Sequence, residues 1–198
     1  MITIKKEGYA ELIEKKSKFI ANVFPVKTEE EALEKLTMIK KKYSDARHNV
    51  YAYNIGGEII RTRYSDDGEP QGTAGLPVLN VIKGQAIENI LIVVTRYFGG
   101  ILLGTGGLVR AYTDAAKLGV EDAEVIEVIE KIKLSIDIEY EFLEKVKNFL
   151  EKSNYEIDNI EYSDNVKIYV LIPLVNEEDA KKEIINLLNG KVQMNKIG

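Results

Sequence analysis

The chain has 198 residues, room for one large domain or two small ones, and its 45% hydrophobic and 30% charged residues exclude the disordered and fibrous classes. A net charge of -5 excludes a protein that coats nucleic acid by bulk electrostatics, while leaving room for a local basic patch. The absence of cysteine removes disulfides, thiol nucleophiles and cysteine-based zinc sites together.

In chain order, residues 1–9 and 18–25 read as strands. Thr28 and Glu31 have the spacing of a capping box ahead of a helix to Tyr43 that buries Ala32, Leu33, Leu36, Ile39 and Tyr43. Strands follow at 50–55 and 59–64 around Gly56 and Gly57, which can supply the positive φ values of a two-residue hairpin turn. After a long polar loop, an apolar segment at 76–80 and a helical one at 83–88 lead to the most apolar strand, 89–98. A glycine-rich turn then opens a helix over about 105–118. The acidic stretch 119–130 has no strong period before Val125 and marks a domain boundary, giving domains at 1–125 and 131–198.

Beyond it, residues 132–140 alternate as a strand with one buried face, and 141–152 place Phe142, Val146, Phe149 and Leu150 on one helical face. Strands at 155–162 and 166–175 flank a Ser-Asp-Asn turn. Asn176 stands where it can cap a helix carrying Ala180, Ile184, Leu187 and Leu188, Gly190 can end that helix, and 191–197 supply a last strand. This βαββαβ order predicts a ferredoxin-like four-stranded antiparallel sheet covered by two helices, in a chain of the α+β class.

No stretch approaches the roughly 18 apolar residues that span a bilayer, and residues 1–16 mix Lys and Glu without the apolar core of a secretory signal. A cytoplasmic location and no membrane partner are expected.

Three segments carry candidate chemistry. In the first, Asp45 to Asn49, Arg47 stands beside His48, the one histidine of the chain. The pair suits an anion contact or proton shuttle, but on its own it is accounted for as a basic helix C-terminus. The second contains Asp66, Asp67, Gly68, Glu69, Gly72 and Thr73. Its three carboxylates lack the spacing of a calcium loop and have no assignable distant ligand, so no metal is expected. Asp and Gly also suit a long turn, yet a loop of this length between short elements is unusual without a purpose. The third runs from Thr95 to Arg110 and contains Arg96, Tyr97, Gly99, Gly100, Gly104, Thr105, Gly106 and Gly107. A strand entering a glycine-rich turn at a helix start aims free N–H groups at one place, where an anion fits. Close helix–sheet packing explains the same glycines. Neither a P-loop nor a dinucleotide fingerprint is present, and no cofactor is expected.

Together these segments, SKFIA at 17–21, DARHN at 45–49, SDDGEPQGTAG at 65–75 and VVTRYFGGILLGTGGLVRAY at 93–112, resemble the IMPACT/YigZ family in order and spacing. The resemblance implies an N-terminal domain similar to domain IV of elongation factor G, a βα sandwich, and a ferredoxin-like C-terminal domain similar to its domain V. It also implies RNA, a ribosomal surface or a protein of the translation apparatus as partner, since the eukaryotic relatives regulate translation. On a binding reading Arg47, His48, Arg96 and Arg110 contact phosphate, and Tyr51, Tyr97 and Phe98 offer stacking faces. On an enzyme reading His48 works with Asp66, Asp67 or Glu69 on a small phosphorylated ligand held by residues 99–107. No nucleophile with a paired base stands at a recognisable spacing, which favours binding without catalysis. The charged residues of all three segments are expected on one face.

Overall fold

In the computed structural model, which describes residues 1–57 and 59–197, the chain divides into two units, Met1–Val128 and Ile129–Gly198. The first runs β1 (Ile2–Ile4), β2 (Gly8–Glu14), β3 (Ser17–Pro25), α1 (Glu29–Lys42), β4 (His48–Ile55), β5 (Arg61–Ser65), α2 (Gly75–Gly84), β6 (Ile90–Tyr97), α3 (Gly104–Ala123) and β7 (Val125–Glu127). Five strands form one antiparallel sheet in the order β2-β3-β6-β4-β5, and β1 pairs separately with β7.

The apolar run of β6 is explained by burial on both faces. Ile90, Ile92 and Val94 meet Phe19, Val50, Leu108 and Tyr112 on the side of α2 and α3. Leu91 and Val93 meet Phe24, Leu36, Ile39 and Tyr53 on the side of α1. A strand in the middle of three layers has no wet face, so its sequence does not alternate.

Several local expectations change. The helix α1 buries Ala32, Leu36 and Ile39, whereas Leu33 is exposed. Thr28 Oγ1 accepts from Glu31 N–H at 3.2 Å, but the Glu31 carboxylate turns back to Lys27 N–H at 2.7 Å rather than to Thr28. Ile55 pairs with Arg61, so the connection from β4 to β5 takes residues 56–60 instead of the two glycines; residue 58 lies outside the described residues. Residues 75–84, not 83–88, form the helix before β6, because its start is capped from a distance as described below. The helix α3 continues into the acidic stretch as far as Ala123. Gly119 lies in its interior as a packing glycine: a Cβ there would come within 2.8 Å of Val23 Cγ2.

The second unit runs β8 (Lys131–Ile138), α4 (Leu143–Lys152), β9 (Glu156–Tyr162), β10 (Val166–Pro173), α5 (Glu177–Leu187) and β11 (Gln193–Ile197). Its antiparallel sheet has the order β11-β8-β10-β9, the ferredoxin-like arrangement of a βαββαβ chain. Leu134, Ile136 and Ile138 with Ile168, Val170 and Ile172 make the inner face against Val146, Leu150, Ala180 and Ile184. Gly190 adopts φ 81 after α5, as a left-handed terminator does. Asn176 holds the N-cap position of α5, but its side chain makes no capping bond.

Candidate functional site

Antiparallel pairing gathers the three candidate segments. Lys18 pairs with Tyr97, His48 with Arg96 and Tyr51 with Ser65, so the start of β3, the end of β6, the start of β4 and the end of β5 share one end of the five-stranded sheet. The β2–β3 hairpin turns there too, with Glu14 opposite Ser17. Lys15 and Lys16 form its two-residue tip at φ 45 and φ 65, the left-handed pair of a type I′ turn carried by two residues that disfavour it.

Arg96 continues the two-residue period of Ile90, Ile92 and Val94, so its side chain points inward, to α3, and is 7% exposed. Its Nη1 donates to Glu69 Oε1 at 2.7 Å and its Nη2 to Ser17 Oγ at 3.5 Å. The guanidinium lies 5.5 Å from the Phe19 ring centre and 5.6 Å from that of Phe98. Tyr112 Oη donates to the same Glu69 oxygen at 2.7 Å. Burial first, and the Glu69 charge second, push the Tyr112 phenol well above its ordinary range. A charge buried in this way is committed to its partner, since removing one member leaves the other unpaired in the interior. Arg96 is therefore not a free phosphate contact, and Glu69 is not a free acid.

The other two carboxylates are also engaged. Asp66 Oδ1 accepts from Ala74 N–H at 3.1 Å and Gly75 N–H at 2.8 Å, and Oδ2 from Gly72 N–H at 2.8 Å. This is an N-cap supplied from nine residues upstream, and it satisfies the first turn of α2. Asp67, at φ 44, accepts from Asn49 N–H at 2.6 Å through Oδ2 and from Lys40 Nζ at 3.0 Å through Oδ1. Its carbonyl oxygen lies 2.9 Å from His48 Nδ1, which must carry the hydrogen because a carbonyl can only accept. Gly68 packs over the same ring, and Thr73 Oγ1 donates to Pro70 O at 2.6 Å. Among the described residues no group of three His, Cys, Asp or Glu is placed to hold a metal ion.

The cations face the other way. Lys15, Lys16, Arg47 and Arg110 are exposed, and none has an ion pair among the described residues. Arg47 adjoins His48, whereas Arg110 is set back along α3, lining with Lys15, Glu14, Leu103 and Asp114 a cleft of about 350 Å³. Gly99 presses on the Lys16 backbone so closely that a Cβ would overlap it, and its N–H donates to Ser17 Oγ at 3.2 Å. Gly100 at φ 84 and Gly104 at φ 74 carry the chain around to α3, whose first turn, with Thr105, Gly106 and Gly107, has no side-chain cap. The loop from residue 98 to residue 103 exposes Phe98 (53%), Ile101 and Leu102 (83%). Tyr97 Oη donates to Asp45 Oδ1 at 2.7 Å, a bond that with some burial pushes the phenol up to about 12. Tyr51 is buried beside Tyr53 under α1 and offers no stacking face.

Ser17, Phe19 and Tyr112 were not among the candidates, although they complete the surroundings of Arg96. For Ser17 and Phe19 the signal was the two-residue strand period, which puts both on a buried face, and in the structure Phe19 lies directly across from Arg96. Lys15 and Lys16 had no sequence signal, since lysines are not residues that announce a tight turn.

Comparison with known proteins places these features. The Impact N-terminal domain matches residues 15–120, and a domain of unknown function, DUF1949, matches residues 136–191. The IMPACT family member YvyE of Bacillus subtilis (strain 168) is 38% identical over 189 residues, covering 96% of this chain and 87% of its own. YigZ of Escherichia coli (strain K12), another IMPACT family member, is 31% identical over 182 residues, covering 91% and 89%. A crystal structure of a hypothetical protein superposes with a TM-score of 0.63 at 29% identity, covering 100% of this chain and 97% of that one.

Proposed function

The chain belongs to the IMPACT family, and from that premise and the geometry of the sheet end we propose that it binds RNA, free or within the ribosome, in a translation-related regulatory role and without catalysing a reaction. The observation that carries this reading is the division of charge. At one end of the sheet every carboxylate of the 66–69 segment is bonded, Glu69 in the interior and Asp66 and Asp67 half-buried, while Lys15, Lys16, Arg47 and Arg110 are exposed and without an ion pair among the described residues. An acidic protein that keeps such a patch has a local footprint for phosphate. The translation-related role that membership of the family implies supports this reading, as does the expected likeness of the two units to domains IV and V of elongation factor G. A cytoplasmic location fits that role, and no helix is long and apolar enough to cross a membrane among the described residues.

Arg96, with Glu69 and Tyr112, holds the site and does not touch the ligand in this reading. The acid–base alternative is less favoured because its parts are spoken for: His48 Nδ1 bonds a carbonyl, Asp66 caps α2, and Glu69 neutralises Arg96. The test is filter binding of a labelled RNA over a range of salt. The Arg47→Ala, Arg110→Ala double variant should weaken binding for unrelated sequences and reduce the slope of log affinity against log salt by about 1 to 2. An unchanged affinity and slope would remove the reading. Turnover of a small phosphorylated compound, lost on His48→Ala, would move the case to the enzyme alternative.

A further inference from the structure

Phe98 is built unlike the other exposed apolar side chains of this end. One side of the residue is covered by the Arg96 guanidinium, which is itself buried, paired with Glu69 and backed by Phe19. The ring therefore sits against a fixed cation, while 53% of the residue remains open to solvent. The next two residues are glycines, with Gly99 pressed on the hairpin tip, so no Cβ follows Phe98 to crowd an approaching plane. Lys15 and Lys16 form that tip, and both are exposed, so unpaired cations stand next to the ring's own loop.

A duplex buries its base faces against one another and offers an aromatic ring nothing to stack on, whereas an unpaired base offers a π face of any identity. We propose that Phe98 is the stacking platform for an unpaired nucleobase, so that the RNA recognised here is single-stranded or looped rather than continuous duplex. This rests on the RNA-binding reading above. Fixing the ring beforehand lowers the ordering cost of stacking, which is the physical role the geometry gives to Arg96. Arg96 is thus a positioning residue.

The experiment uses the full chain and a single-stranded RNA of about 12 nucleotides, a length within the usual single-strand site sizes, carrying 2-aminopurine, with the same strand annealed to its complement for comparison. The unmodified protein should bind the single strand more tightly and quench the 2-aminopurine. Phe98→Ala should weaken single-strand binding by about tenfold and abolish the quenching, while duplex binding changes by less than about twofold. Phe98→Trp should retain both affinity and quenching, which separates stacking from loss of fold. Equal affinity for single strand and duplex, or full single-strand affinity in Phe98→Ala, would overturn the proposal. If binding persists, responds to Arg47 and Arg110 and ignores Phe98, the RNA reading stands and this inference alone fails. If neither probe binds, both fall. A Phe98→Ala defect in holding a protein, with RNA affinity unchanged, would likewise assign the ring to a different partner and overturn it.

Discussion

On the open face of the C-terminal sheet Lys131 reaches Glu156 at 2.6 Å, Lys133 reaches Asp158 at 2.6 Å, and Lys167 stands 4.0 Å from Asp137. At the loop end of the N-terminal sheet Lys15, Lys16, Arg47 and Arg110 have no such partners among the described residues, although Asp66, Asp67 and Glu69 are close in the fold. The difference lies in where the carboxylates point. A sheet face that pairs its own charges is a solvated surface with little field to offer. Here the acids of the 66–69 segment are bonded within the fold and leave Lys15, Lys16, Arg47 and Arg110 unpaired among the described residues, with exposed Glu14, Asp45 and Asp114 interspersed. Composition alone would rank the two regions alike.

The largest test of this contrast removes an inward acid. Glu69→Ala leaves the Arg96 charge buried without its partner and should cost about 3 to 5 kcal/mol in urea unfolding of the N-terminal unit. Asp158→Ala on the C-terminal sheet should cost less than about 1 kcal/mol. Similar losses at the two positions would break the distinction between committed and solvated charge.

Next in size, Tyr112→Phe removes one donor from Glu69 and should cost about 1 to 3 kcal/mol near neutral pH. The sign with pH follows from the raised phenol. Below its unfolded value of about 10 both states hold the proton and stability is full. As pH rises past that value the unfolded chain releases the proton first, so stability falls. Tyr53 and Tyr97, each pushed up to about 12, act in the same direction. The alkaline fall should therefore become shallower in Tyr112→Phe without vanishing; an unchanged alkaline profile would contradict the burial of that phenol.

The smallest effect sharpens the contrast from outside. The Lys15→Asn, Lys16→Gly double variant relieves two left-handed lysines and should raise the unfolding free energy by about 1 kcal/mol, while weakening RNA binding. A gain in stability with a loss of affinity would mean that the strained tip is retained for its charge. Destabilisation by this change would show that the lysines serve the fold.

Much of this architecture was legible because packing writes itself into local periods. The strand β6 betrayed its central place by having no polar face, and the βαββαβ order of the second unit followed from the switch between periods of two and 3.6. What stayed hidden was action at a distance. The start of α2 depends on Asp66, which no window around Gly75 reveals, and Gly119 reads as a helix end until Val23 is placed against it. The candidate segments were visible as loops too elaborate for mere connections, but the direction of each charged side chain was not. Arg96 looked like a phosphate contact beside a glycine-rich turn. Counting the period of β6 from Ile90 turns it inward, and Glu69, 27 residues away, closes the pair. Lys15 and Lys16 occupy a turn that their residue type argues against, so the outward charge at that tip emerged from backbone geometry.

The central claim, that the outward cations of the N-terminal sheet end form the RNA-binding surface, is tested most directly by reversing charge in the two contrasted regions. Lys15→Glu with Lys16→Glu, and separately Lys131→Glu with Lys133→Glu, change the net charge of the protein equally. At one fixed, moderate salt concentration the first pair should lower RNA affinity by about tenfold or more, and the second should leave it within about twofold. Equal losses from both pairs, or a larger loss from the C-terminal pair, would contradict the account.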